Sequence, residues 1–124
     1  DTIATAIRIG NPASWDLALA AREDSNGYFG AIDDAGILAA HKILAKEVGI
    51  FVEPSSAISA AGLLERAEAG ALEKGATAVL TVTGHGLKDP QWALKNVDGS
   101  EAEPTKVPVD VGHIADVLGL KAGA

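Results

Sequence analysis

Residues 81–90 read Thr-Val-Thr-Gly-His-Gly-Leu-Lys-Asp-Pro, which puts the hydroxyl of Thr83 at the end of an apolar, β-branched run and two glycines, Gly84 and Gly86, just after it. Two positions without side chains let a flat ligand lie close to the backbone, with Thr83 offering it one hydroxyl. The same residues also suit a simple tight turn in which Thr83 bonds to backbone. His85 has the chemistry of a general base or metal ligand, but His41 and His113 fall on different predicted helices, so no ligand spacing supports it and a turn histidine is the expectation. Lys88 and Asp89 suit an anion contact or a mutual pair. An exposed pair of that kind contributes at most about 1 kcal/mol and is read as structural.

Two further segments carry polar residues at turns. In 52–56, Val-Glu-Pro-Ser-Ser, Glu53 precedes a proline at a helix start, where the helix dipole favours a carboxylate with or without a ligand. In 6–12, Ala-Ile-Arg-Ile-Gly-Asn-Pro, Arg8 is the only basic residue before Arg22 and stands among apolar neighbours beside a turn. It is the best anion-binding candidate from residue chemistry alone.

The elements that would position these segments alternate in type. Helices are predicted over 13–24, opened by Pro12 with Trp15, Leu17, Leu19 and Ala20 on one face, over 34–48 behind a carboxylate N-cap and ending at Gly49, and over 54–69. Short apolar runs at 28–32, 50–52 and 77–83 read as strands, the last with the composition of a central parallel strand covered on both faces. A helical turn over 90–96, a surface loop over 97–110 and a helix over 111–120 complete the reading. The fold class is α/β, three-layered with a mostly parallel sheet. In open sheets of this class ligands bind beyond the carboxyl ends of the strands, which all three polar segments can reach.

Bulk properties narrow the function classes. The 124 residues suit one domain, with 48% apolar but only 4% aromatic residues, so the core must come from Ala, Val, Ile and Leu. A net charge of -7 argues against nucleic acid or an anionic membrane as a partner. With no cysteine there is no disulfide framework, and with neither a long apolar run nor a signal-like start the expectation is a soluble, cytoplasmic protein. The chain also contains no methionine, and it reads as a fragment of something longer.

Taken together, residues 4–12, 51–57 and 80–90 resemble three successive motifs of the threonine synthases, in the same order and with matching spacing. The resemblance covers residues 2–96 strongly and the tail loosely. It implies residues 1–96 as the carboxyl-terminal part of a pyridoxal 5'-phosphate enzyme of the tryptophan-synthase-β type, with 97–124 as a tail bearing a short helix. It implies the conversion of O-phosphohomoserine and water to threonine and phosphate. In that setting Thr83 would hydrogen-bond the cofactor's pyridine nitrogen, Gly84 would let the ring lie close, Ala6 and Ile7 would lie against the ring, and Glu53 would stand near the site. Arg8 would face the substrate phosphate or hold its loop in shape. A neutral hydroxyl opposite the ring nitrogen makes the ring a moderated electron sink, which suits a route of several proton transfers.

One departure matters. The family's Schiff-base lysine and its Gly-rich phosphate loop both precede the resembling region, and no lysine here has that context, so no catalytic residue is assigned in this chain. The missing amino-terminal half is thus an implied partner, as is a second copy in a dimer, and the isolated chain is expected to be inactive and prone to self-association. Competing readings are a serine or threonine dehydratase fragment of the same fold type, and a stand-alone, non-catalytic α/β binding module. Against the latter, no Gly-x-Gly-x-x-Gly opens a helix.

Overall fold

The computed structural model describes residues 1–96 and 98–120, so Val97 and the last four residues of the expected tail lie outside the described residues. Among the described residues five α-helices occur in chain order: α1 Trp15–Asp24, α2 Asp34–Ile43, α3 Pro54–Glu68, α4 Gln91–Leu94 and α5 Val111–Val117. A 3-10 turn at Thr5–Ile7 precedes them and a second, Gly86–Lys88, sits between α3 and α4.

The helix boundaries follow local chemistry. Asp33 caps α2, its carboxylate accepting from the Gly36 amide at 2.8 Å. Beyond Ile43 the same run continues as one π-helical turn, Leu44–Val48, and stops at Gly49, whose φ of 75° is the left-handed conformation that ends helices. Pro54 opens α3 in the first turn, where its missing N–H is no loss. α1 begins at Trp15, later than Pro12 suggested, and ends where Asn26 takes a φ of 51° and the Gly27 amide returns to the Arg22 carbonyl at 2.8 Å.

The core lies between α2 and α3. Ile37, Ala40 and Leu44 from one side meet Ala57, Ala60 and Ala61 from the other, with Ala4 and Val52 closing the ends. Alanine at the facing positions lets two helix backbones approach closely, in keeping with the scarcity of rings in the sequence. Ile3, Ile32 and Ile58 flank this cluster.

Three expectations are not met among the described residues. No strand forms among the described residues: 28–32, 50–52 and 77–83 stand outside any ladder, and only isolated antiparallel bridges occur, Val52 with His85 and Lys95 with Glu101. The parallel sheet is therefore not seen among the described residues. A strand exists only through its neighbours, and the apolar run 77–83 finds none here, leaving Val79 90% exposed. The apolar face foreseen for α1 is not buried either, since Leu17 is 72% exposed and no residue of that helix is fully buried, Leu19 being partly covered. Finally, Lys88 and Asp89 do not pair with each other but reach different partners. Lys42 supplies a contact that no pattern suggested, donating to the Trp92 and Ala93 carbonyls at 3.1 and 2.9 Å and tying α4 to α2.

Ile37, at 1% exposure, is among the largest side chains wholly buried in this small core. Ile37→Ala is expected to lower stability by about 2–5 kcal/mol, read as a fall in the urea unfolding midpoint at an unchanged slope.

Candidate functional site

The three polar segments converge. Residues 51–53 run antiparallel to 84–86: the Glu53 amide donates to the Gly84 carbonyl at 2.9 Å and the Gly86 amide to the Phe51 carbonyl at 3.2 Å, on either side of the Val52–His85 bridge. The first segment joins through Thr5, whose hydroxyl donates to Asp89 at 2.8 Å. It is held at its other end by Asp34, which accepts from the Thr2 hydroxyl and, at 3.1 Å, from the Ile3 amide. The Thr2 hydrogen bond in particular holds the Asp34 carboxyl below its ordinary pKa.

The two glycines are explained by what lies beside them. A Cβ on Gly84 would overlap the Glu53 carboxylate, and one on Gly86 would overlap the ring of Phe51. Phe51 is itself set edge-on between two histidines, with His41 at 5.9 Å and His85 at 5.6 Å between ring centroids. Gly-His-Gly is thus the shape left when two larger side chains occupy the space next to a turn.

Glu53 occupies the N-cap position of α3, but its side chain makes no cap hydrogen bond. Its carboxylate, 4% exposed, turns instead towards Gly84 and forms an ion pair with Lys88, whose Nζ lies 2.7 Å from Oε2. That approach lacks hydrogen-bond alignment, so the contact is chiefly one of charge. A buried carboxylate needs such a partner, because an unpaired charge out of water is costly.

Thr83 is exposed, and its Oγ lies 2.9 Å from the Oγ of Ser56, a buried residue in the first turn of α3. Ser56 Oγ also accepts from the amides of Thr83 at 3.1 Å and Gly84 at 2.7 Å. Ala6 and Ile7 lie exposed in the first 3-10 turn. Arg8 donates through Nε to the Thr2 carbonyl at 2.6 Å and lies 3.3 Å from the Asp1 carboxylate. His85 accepts from the Leu87 amide at 3.2 Å, which makes it the cap of a 3-10 turn.

Across residues 1–84 the chain matches the model of a family described as pyridoxal-phosphate dependent enzymes. The chain belongs to the pyridoxal-phosphate dependent enzyme family. Fold type follows from family, and it is that of the tryptophan-synthase-β group. Threonine synthase of Mycobacterium leprae is 49% identical over 120 residues, covering 97% of this chain and 32% of the relative. That of Synechocystis is 49% identical over 120 residues, covering 97% of this chain and 30% of the relative. The Methanocaldococcus jannaschii threonine synthase is 45% identical over 118 residues, covering 95% and 28% respectively. The chain thus spans about a third of the length of the curated relatives it matches.

The residues present fit one edge of a pyridoxal-phosphate site. Thr83 is an exposed residue with a hydroxyl beside the turn, while the space left by the absent side chains of Gly84 and Gly86 is taken by the Glu53 carboxylate and the Phe51 ring. The fold brings Thr83, Gly84 and Glu53 together, and Ser56, Lys88 and Phe51, whose roles no sequence pattern marked, are the parts that shape them. For Ser56 a signal existed: a second serine one turn into a helix, next to an apolar run that ends in threonine, is well placed to bond to loop amides.

The pairing of a buried Glu53 with an exposed Lys88 predicts an asymmetry. Lys88→Met is expected to cost about 1–3 kcal/mol by leaving a buried carboxylate unpaired, and the added change Glu53→Gln should recover part of that loss, as read by urea midpoints of the single and double variants. His41 gives a pH prediction. Burial above all, then the Lys42 charge, lowers its pKa below the ordinary histidine value, against the opposing effect of a hydrogen bond that the imidazole donates to the Val52 backbone. The unfolded chain therefore binds the proton first, and stability should fall as pH drops through the mid-six range towards the lower folded value. His41→Gln should flatten that dependence between pH 7.5 and 5.5.

Proposed function

We propose that this chain is the carboxyl-terminal part of a threonine synthase, and that the whole protein converts O-phosphohomoserine and water to threonine and phosphate. The observation that carries the proposal is the near 50% identity to threonine synthases over 120 residues, a stretch that takes in all three converging segments. A dehydratase would share the family and fold type, but the relatives cited above carry the synthase name.

When bound, pyridoxal phosphate supplies the electron sink for proton removal beside the substrate's amino group. Thr83 would hold the ring nitrogen with its hydroxyl. Gly84 would bring the backbone of the turn beside the ring, the space of its absent side chain being taken by the Glu53 carboxylate, and Ala6 and Ile7, exposed in their turn, would cover one of its faces. Glu53 supports this arrangement from behind: with its carboxylate packed on Gly84 and paired to Lys88, it sets the position of the turn. Of the two roles open to Arg8, its contacts to Thr2 and Asp1 favour shaping the loop over holding the substrate phosphate. The parallel sheet around 77–83 belongs to the same proposal, with its partner strands supplied by the remainder of the protein, and so does assembly as a dimer.

The full-length protein is expected to release phosphate from O-phosphohomoserine with formation of threonine. Absence of phosphate release, with keto acid formed from serine or threonine instead, would replace this reading with the dehydratase one. The 124-residue chain alone is expected to show neither activity nor covalent capture of the cofactor. Borohydride reduction in the presence of pyridoxal phosphate, followed by intact mass measurement, should therefore leave it unlabelled, and stoichiometric labelling of one lysine would contradict the assignment.

A further inference from the structure

Three polar groups meet at the Oγ of Ser56: the Thr83 amide at 3.1 Å, the Gly84 amide at 2.7 Å and the Thr83 hydroxyl at 2.9 Å. The distance between the two hydroxyls permits donation in either direction, but counting electron pairs decides it. A hydroxyl oxygen has two lone pairs and one proton. Amide N–H groups can only donate, so they occupy both lone pairs of Ser56, and the third contact must use the Ser56 proton. Ser56 is the donor and Thr83 the acceptor.

The consequence falls on Thr83. Were Ser56 free to accept, Thr83 would spend its proton inward and meet a ligand with lone pairs alone, as suits a protonated ring nitrogen. With Ser56 saturated, the Thr83 proton has no taker in this cluster and is left for the exposed side of the loop. The chain is also cooperative. Two N–H groups donating to Ser56 polarise its O–H, and that donation in turn polarises the O–H of Thr83.

We infer that Ser56 is a positioning residue that fixes the direction of the Thr83 hydroxyl, so that Thr83 donates to an unprotonated pyridine-type nitrogen. The inference rests on the reading above that Thr83 faces the cofactor ring. Ser56 itself touches neither cofactor nor substrate. It is buried, and it acts only through Thr83 and through the two amides that hold the turn.

The test uses the full-length protein loaded with pyridoxal phosphate carrying 15N in the ring, and reads the ring-nitrogen chemical shift. The unsubstituted protein should show the shift of an unprotonated, hydrogen-bonded nitrogen. Thr83→Val should move it to that of an unprotonated nitrogen without a hydrogen bond, Ser56→Ala should move it part of the way in the same direction, and Ser56→Thr, which keeps the hydroxyl, should restore it. Combined with Thr83→Val, the Ser56→Ala change should add no further shift, although it still lowers stability by leaving two amides unpaired. Should Ser56→Ala prevent folding, Ser56→Cys takes its place, a weaker donor expected to give an intermediate shift. A shift that responds to Thr83→Val but not to the Ser56 variants overturns the role of Ser56 while leaving the placement of Thr83 intact. A shift that ignores Thr83→Val overturns that placement, and the role of Ser56 with it.

Discussion

Two stretches of backbone, 51–53 and 84–86, approach each other closely enough for two amide hydrogen bonds, and that approach sets the terms for the residues around it. Backbones at this separation leave little volume between them, and the space beside them is filled by the Phe51 ring and the Glu53 carboxylate. The other strand of the contact therefore has to give up its side chains at 84 and 86. What remains is a turn with no freedom to slide, and Thr83 at its near end inherits that rigidity. Ser56 then locks it by taking two amides of the turn onto one oxygen.

Around this contact lies a mixture of wet and dry chemistry. On one side His41 is buried in the face of α2, edge-on to Phe51, and on the other His85 closes the same aromatic row from an exposed position. The two imidazoles share a neighbour but not an environment, and burial lowers the proton affinity of His41. Lys42, next in sequence, also has its pKa lowered by desolvation while it holds the carbonyls of α4.

Helices were far more legible in the sequence than anything else, because their signals are local. Asp33, Gly49 and Pro54 each act within a turn of their own position, and the boundaries they mark are those observed. The strands over 28–32, 50–52 and 77–83 were not realised, since composition marks a segment as suited to a sheet but cannot supply the neighbour that makes one. The face of α1 misled for the same reason: an apolar stripe states what a helix can cover, and among the described residues only Pro12 and Phe29 line the hollow beside it, leaving it largely exposed. At the site, Thr83 and Gly84 stood out because a hydroxyl and two glycines after an apolar run are unusual. Ser56 and Lys88 did not, since their importance comes from partners distant in sequence, and Lys88 beside Asp89 suggested the wrong partner.

The packing of the Glu53 carboxylate onto Gly84 links two positions that no local pattern connects. A longer residue at 84 has room only if 53 shortens, and a shorter residue at 53 opens a void that a methyl group at 84 can fill. Drift at these sites should therefore proceed in pairs, and Lys88, once its counter-charge has gone, becomes free to change with them. An alignment of distant relatives would record this as covariation of three columns whose common cause is a single shared volume.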